Sequence, residues 1–149
     1  MRAVVQRVNY CRVYIDGELS GSISDGLCVL LAVGEDDSNE DADYLLDKII
    51  NLRIFADEDG KMNLSARDLN KELMVISQFT LYGDCRQGRR PGYGDAAQPD
   101  RAEKLYDYFI EKLGKTDLEY DCGEFKEYME VELSNDGPVT LMLDSKKNF

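Results

Sequence analysis

The chain has no histidine among its 149 residues. This absence excludes the imidazole-based Ser-His-Asp and Cys-His catalytic systems, and it removes a common zinc ligand. The four cysteines, Cys11, Cys28, Cys85 and Cys122, show no C-x-x-C spacing. We therefore expect reduced thiols, with Cys28 as a small buried hydrophobe, and neither a metal nor another cofactor.

Long apolar runs and glycine-rich phosphate loops are also missing. The longest apolar stretch, residues 27–33, is too short to cross a bilayer, and residues 1–7 lack the apolar central region of a signal peptide. No Walker or dinucleotide-binding glycine pattern occurs. Since this length suits one domain with its own core, we predict a single cytoplasmic domain covering residues 1–149.

Acidic residues outnumber basic ones by 30 to 18, which gives a formal net charge of −12. Taken alone, this charge opposes binding to nucleic acid, whose phosphates are neutralised by Lys and Arg. The charge is uneven, however, because acids crowd residues 35–47 while Arg86, Arg89 and Arg90 share one loop. That basic loop fits either a phosphate-binding surface or a solvated turn.

The first half of the chain alternates in the manner of strands. Residues 3–8 and 13–15 read as strands before Asp16-Gly17, a dipeptide typical of two-residue hairpin turns. Residues 27–33 predict a strand buried on both faces. A helix is expected to begin after Ser38, because Asp41 stands three residues later in a capping-box pattern.

The second half predicts a strand at 51–55, another at 73–76, and a helix from Pro99 to Gly114. Two half-buried strands at 128–133 and 139–143 predict a hairpin-like pair around a turn at 135–138. The expected fold class is α+β, with a mainly antiparallel sheet covered by two main helices.

Ser77, Gln78, Phe79 and Thr80 follow the apolar strand at 73–76. If the strand continues through them, Ser77 and Phe79 face one side while Gln78 and Thr80 face the other. Backbone N–H groups freed where a strand ends can stabilise an oxyanion. The same residues also fit an ordinary edge strand.

Gly137-Pro138 precedes the clear alternation that begins at Val139. Proline cannot donate a hydrogen bond to a sheet, and glycine loosens the backbone before it. Because only about 5–6% of X-Pro bonds in folded proteins are cis, the residues alone favour a trans turn.

Both stretches resemble signature motifs of the D-aminoacyl-tRNA deacylases: SQFTLY at 77–82 and NDGPVT at 135–140. Segments at 1–8, 51–55 and 60–64 are similar to that family as well. So are Arg90-Pro91 and Phe125 with Met129, in the same order, and the resemblance therefore spans nearly the whole chain.

The resemblance implies a homodimeric, barrel-like α+β enzyme that hydrolyses the ester between a D-amino acid and the terminal adenosine of tRNA. In that family the Gly-Pro bond is cis, and it enters the partner's active site, where its carbonyls capture the substrate's amino group and leave no room for an L side chain. The residues to which these roles carry over are Gly137 and Pro138 as chiral selector with Arg7 bracing them, Ser77, Gln78, Phe79 and Thr80 around the adenosine and ester, and Phe125, Met129 and Thr140 beside them. Val139, next to the selector, is a further candidate for substrate binding. From their charge, we expect Arg86, Arg89 and Arg90 of the basic loop to contact the acceptor end of the tRNA.

Two mechanisms remain open within this interpretation. Either the Thr80 hydroxyl attacks the ester, or the N–H groups of Phe79 and Thr80 hold the oxyanion while the ribose 2′-OH helps to activate water. The second is favoured because it needs no ionisable catalytic side chain. Other functions also stay open, namely a non-catalytic RNA-binding relative and a small-ester hydrolase.

The sequence departs from the family pattern at two places. Lys126, Glu127 and Tyr128 follow Phe125 where small residues are expected, and Gly92-Tyr93 replaces the usual Ser-Phe after Arg90-Pro91. We expect these changes to affect the rim of the pocket and the approach of tRNA.

Overall fold

The computed structural model describes all residues, 1–149. Three α-helices, one 3₁₀ helix and eight strands make up the fold. The strands are β1 (Arg2–Ile15), β2 (Glu18–Ile23), β3 (Gly26–Ala32), β4 (Phe55–Ala56), β5 (Met62–Leu64), β6 (Glu72–Ser77), β7 (Tyr120–Cys122) and β8 (Met129–Asp144). The α-helices are α1 (Asn39–Ile50), α2 (Ala66–Leu69) and α3 (Pro99–Leu113), and the 3₁₀ helix is Phe79–Tyr82.

Six strands form one mixed sheet in the order β2-β1-β3-β6-β7, with β8 paired to β1. The pairs of β1 with β2, β3 and β8 are antiparallel, whereas β3–β6 and β6–β7 are parallel. The sheet curls back on itself, so that the Ser22 backbone N–H donates to Asp121 Oδ2 at 2.9 Å. This nearly closed, barrel-like sheet confirms the predicted α+β class.

Helices α1 and α3 cover the sheet with their apolar faces. Leu45 and Ile49 of α1 and Phe109 and Leu113 of α3 are fully buried in one core with the inward side chains of the sheet. Full burial of such a side chain contributes about 1.5–3 kcal/mol. The predicted starts are confirmed, since α1 follows Ser38 and α3 begins at Pro99.

The hairpin turn at Asp16-Gly17 is also confirmed, because both residues have positive φ, 50° and 80°. All four cysteines are free, and Cys28 is buried as expected. None of the helices combines the length and the apolar composition needed to span a membrane.

Three expected elements take a different form. Of the strand expected at 51–55 only Phe55–Ala56 forms, because Asn51 caps α1 through an N–H bond to the Asp47 carbonyl. The final third is one continuous strand, β8, and not a hairpin-like pair. Both of its halves pair with β1, and the chain bulges between them.

Candidate functional site

A cleft of about 790 Å³ opens at the ends of two parallel strands. β3 and β6 run side by side, and the chain leaves them at Val33 and Gln78, both of which line the cleft. Ligand sites are common outside the carboxyl ends of parallel strands, because the connections there diverge. The other walls are the segment that enters α3, around Pro99, and the segment from Phe125 to Val131.

The predicted motif forms the floor of this cleft, but not as a strand. β6 ends at Ser77, and the Gln78 N–H extends the pairing by one bond to the Leu31 carbonyl, 2.8 Å. The chain then turns into the 3₁₀ helix, so the strand-like alternation expected for Phe79 and Thr80 is wrong. Because the first N–H groups of a helix have no acceptor within it, those of Phe79 and Thr80 are free to bind a ligand.

The Thr80 hydroxyl is not paired with a base. It accepts a hydrogen bond from the Gln78 side-chain amide, a group that cannot take up a proton near neutral pH. Glu127 contributes the only carboxylate among the residues that line the cleft. The site therefore offers hydrogen-bond donors and no activated nucleophile.

Phe125 and Met129, to which the resemblance assigns places beside the ester, form the opposite wall of the cleft. The buried Tyr106 hydroxyl fixes this wall by donating to the carbonyls of Val75 at 3.0 Å and Gly123 at 3.2 Å. Burial raises the pKa of Tyr106, so it remains a donor. Gly123 leaves room for the end of the Met129 side chain, because a β-carbon there would lie 2.5 Å from Met129 Sδ and would displace it.

The rim of the cleft includes residues that the sequence identified as departures from the family pattern with an expected effect on the rim, but not as site residues. Tyr93 packs edge to face against Phe79, with ring centres 5.0 Å apart. Lys126 lies 3.6 Å from Glu103, and Tyr128 is 90% exposed. Tyr93, Lys126 and Tyr128 are positions where the sequence departs from the family pattern, and that departure was the available signal.

The second motif lies elsewhere, in the bulge of β8 opposite Arg7. Gln6 pairs with Thr140 and Val8 with Asn135, so residues 136–139 loop out of the ladder. The Gly137-Pro138 bond is cis, as the resemblance implies, and both residues are exposed. The bulge is closed by the Asn135 side chain, which donates to the carbonyls of Arg7 and Val139.

Arg7 braces this bulge from the sheet side. Its Nε lies 2.8 Å from Asp136 Oδ2, in a direction that makes an ion pair and not a hydrogen bond, and its Nη1 donates to the Ile54 carbonyl. The Val139 side chain is buried in the main core. The Thr140 hydroxyl accepts from the Gln6 amide at 3.2 Å.

The bulge and the cleft of one chain are far apart. Val131 is the last residue of β8 that lines the cleft, and Gly137 follows six positions later on the same strand. At about 3.3 Å per residue, this separation is roughly 20 Å. The structure thus brings together Ser77, Gln78, Phe79, Thr80, Phe125 and Met129, and it keeps Arg7, Gly137, Pro138, Val139 and Thr140 apart from them.

The basic loop adjoins the cleft at Tyr93. Its ends are joined by paired backbone bonds between Asp84 and Gly92. Arg86 forms a bidentate ion pair with Asp84, in which its Nε and Nη2 each donate to one carboxylate oxygen at 2.8 Å. Arg89 and Arg90 are exposed and have no ion-pair partner.

Known proteins match this chain along its whole length. A family model described as D-Tyr-tRNA(Tyr) deacylase matches residues 4–144. D-aminoacyl-tRNA deacylases of Thermosipho melanesiensis and Clostridioides difficile are 58% and 55% identical, with 100% of each chain covered.

Solved structures give the same match of fold. A c-Myc DNA unwinding element binding protein superimposes with a TM-score of 0.91 at 40% identity, covering 97% of this chain and 98% of the other. A probable eukaryotic D-amino acid tRNA deacylase gives 0.81 at 16% identity, covering 96% and 98%. The second likeness concerns the fold alone.

Proposed function

The chain belongs to the D-Tyr-tRNA(Tyr) deacylase family, whose members are hydrolases that act on ester bonds, and we propose that it is an editing esterase for D-aminoacyl-tRNA. It releases free D-amino acid and tRNA and leaves L-aminoacyl-tRNA intact. The proposed place of action is the cytoplasm. The observation that carries the proposal is the pair of free N–H groups, on Phe79 and Thr80, in a cleft whose only carboxylate, the exposed Glu127, is bonded to no hydroxyl.

In the proposed reaction, water attacks the ester carbonyl, and the tetrahedral oxyanion accepts hydrogen bonds from the N–H groups of Phe79 and Thr80. The ribose 2′-OH of the terminal adenosine assists removal of the proton from water. Collapse of the intermediate breaks the bond to the 3′-oxygen, which leaves with a proton as the tRNA hydroxyl. The role of this chain is to hold the carbonyl and the adenosine in place.

Chiral selection is assigned to the partner subunit in a homodimer. The bulge of one protomer would enter the cleft of the other, with the carbonyls of Gly137 and Pro138 facing the substrate's amino group. Three features support this arrangement: the bulge is exposed, it is braced by Arg7 and Asn135, and it lies about 20 Å from its own cleft along β8. Val139 supports the bulge from the core.

The adenosine is proposed to bind between the two walls of the cleft, near Phe125 and Met129. Outside it, Arg89 and Arg90 would contact phosphates of the acceptor end, and Arg86 would shape the loop through Asp84. Exposed Tyr128 and Tyr93 offer rings at the mouth, where unstacked bases pass.

Single-turnover hydrolysis of D-tyrosyl-tRNA and L-tyrosyl-tRNA tests the proposal. Loss of the D ester alone supports it. Loss of neither would indicate a non-catalytic RNA-binding protein. Cleavage of simple esters at a rate similar to that of the charged tRNA would indicate a small-ester hydrolase.

A further inference from the structure

The 3₁₀ helix that carries the two free N–H groups is only four residues long, Phe79–Tyr82. Helices of this kind have poor hydrogen-bond geometry and are marginal without outside support. An oxyanion site requires donors within a few tenths of an ångström of their productive positions. Something outside the helix must therefore hold it, and the side chains of Arg2 and Asp37 meet this need.

Arg2 contacts the last turn of the helix from the strand behind it. Its Nη1 donates to the Leu81 carbonyl at 3.1 Å, and its guanidinium carbon lies 4.3 Å from the centre of the Tyr82 ring. Its Nε is 3.6 Å from Asp144 Oδ2 of β8. The Arg2 side chain thus links the 3₁₀ helix to both β1, on which it lies, and β8, which carries Asp144.

Tyr82 provides the second attachment. It is buried, and its hydroxyl donates to Asp37 Oδ2 at 3.3 Å. Burial and the Asp37 charge raise the pKa of Tyr82, so that it stays a donor. Gly34 makes room for this contact, because a β-carbon there would lie 2.5 Å from the tyrosine oxygen.

Asp37 is itself held by contacts on both carboxylate oxygens. Its Oδ2 accepts from the Gly34 N–H at 2.6 Å, and its Oδ1 lies 2.6 Å from the Met1 ammonium group. With 3% of its surface exposed, it is a buried acceptor and not a surface acid. The far end of the helix is therefore held on two sides, by Arg2 and by Asp37 through Tyr82.

We propose that Arg2 is a positioning residue for ester hydrolysis: it fixes the end of the 3₁₀ helix at Leu81 and Tyr82, and so aims the N–H groups of Phe79 and Thr80 into the cleft. This inference rests on the proposed function. Arg2 does not line the cleft, and it acts only through the helix. Its loss should therefore slow the chemical step without weakening binding of the ground-state substrate.

The test compares Arg2→Gln with a matched control on the same strand. Arg12 also lies on β1 and has similar partners, Glu132 at 3.4 Å and the Tyr10 ring at 4.9 Å, but it contacts neither the helix nor the cleft. Arg2→Gln should lower the single-turnover rate on D-tyrosyl-tRNA about 10- to 100-fold with KM unchanged, because a misplacement of about 1 Å can cost two decades in rate. Arg12→Gln should leave both values at wild type.

Arg2→Lys should recover part of the rate, since its charge can still face Tyr82 and Asp144. Equal rates for wild type and Arg2→Gln, or a rise in KM with no change in kcat, would overturn the inference.

Amide hydrogen exchange of Leu81 and Gly83, whose N–H groups donate to the carbonyls of Gln78 at 3.2 Å and Thr80 at 2.9 Å, supplies a readout that does not depend on any esterase activity. These two amides should exchange faster in Arg2→Gln than in wild type or Arg12→Gln, while α1 and α3 stay protected. An inactive wild type would contradict the proposed function, and the exchange would still show whether Arg2 holds the helix. Unchanged exchange at Leu81 and Gly83 would show that the helix holds its position without this arginine.

Discussion

At the scale of single residues, the proposed catalysis depends on one backbone hydrogen more than on any side chain. Phe79 is the first residue of the 3₁₀ helix, a position where proline is tolerated. Gln78 before it has φ −143° and ψ 75°, outside the α region that a following proline disfavours. The N–H can therefore be deleted with little change of backbone.

Phe79→Pro should be about 10²–10³-fold slower than Phe79→Ala, which is the cost of removing one oxyanion donor. Both variants lose the ring that packs on Tyr93, so their difference isolates the N–H. Single-turnover rates on D-tyrosyl-tRNA make the comparison. Equal rates for the two variants would remove the Phe79 N–H from the mechanism.

The Thr80 side chain is expected to matter less. Thr80→Ala should keep most of the activity, because the hydroxyl is bonded to the Gln78 amide and has no base beside it. Glu127→Gln should behave alike. A substrate ending in 2′-deoxyadenosine should be nearly inert, and complete loss with Thr80→Ala, in protein that still binds tRNA, would instead favour a threonine nucleophile.

At the scale of elements, the start of α1 depends on Asp41, the acid of the capping-box pattern, which stands among many other acids in residues 35–47. Asp41 is buried, accepts from the Ser38 N–H at 2.9 Å and pairs with Lys146 at 2.8 Å. Burial alone would raise the pKa of Asp41. Hydrogen bonds from Lys146, Ser145 and the Ser38 backbone outweigh that effect and hold the pKa well below its ordinary value.

A carboxyl group with a lowered pKa in the folded state stabilises the fold above its unfolded pKa and loses that contribution as the pH falls through the folded value. Asp41→Asn should therefore lower the free energy of unfolding at pH 7 by about 1–2 kcal/mol. The difference from wild type should shrink below about pH 4. Urea unfolding at pH 7 and pH 3 measures it, with exposed Glu35→Gln as a control expected to differ little at either pH.

Elements with a strong local signal were predictable, and those shaped by distant contacts were not. The cap at Ser38 and the proline at 99 identify α1 and α3 without any knowledge of the fold. The turn at Phe79 and the continuity of β8 depend on which strand each segment meets, and sequence alternation alone does not contain that information. The residues of the cleft were predicted largely through the family resemblance. Tyr93, Lys126 and Tyr128 at its rim were identified only as positions that depart from the family pattern.

At the scale of the whole molecule, a site shared between two subunits predicts that two inactive variants can complement each other in a mixed dimer. A chain with Phe79→Pro keeps its bulge, and a chain with Gly137→Val keeps its cleft. The valine is incompatible with the native bulge, because φ is +121° there and a β-carbon would lie 2.8 Å from Val139 Cγ2. Each variant alone should be inactive although folded.

Mixing the two variants should restore about a quarter of wild-type activity, since random exchange makes half of the dimers mixed and each mixed dimer has one intact site. Mass spectrometry of the native complexes verifies that subunits have exchanged. No recovery in verified mixed dimers, or full activity in a monomer, would contradict the cross-subunit arrangement.

The net charge of −12 also concerns the whole molecule, because it repels the tRNA that is the proposed substrate. Replacing Arg89 and Arg90 by Ala should reduce the dependence of log K for tRNA on log salt by about 0.7–0.9 for each phosphate that is no longer neutralised. Lys115→Ala, just beyond the end of α3 remote from the cleft, is the control. An unchanged slope in the double variant would make the loop a solvated turn.

The uninterrupted course of β8 places a constraint on residue number. Val131 borders the cleft and Gly137 lies in the bulge, so the number of residues between them sets the distance from the cleft to the bulge. One inserted residue would reverse which side chains face inward, and two would restore that alternation but displace the bulge by about 6.6 Å. Glu132 is exposed and its only ion-pair partner is the exposed Arg12, so we expect its substitution to cost little. In this stretch, substitutions should be tolerated where insertions and deletions are not.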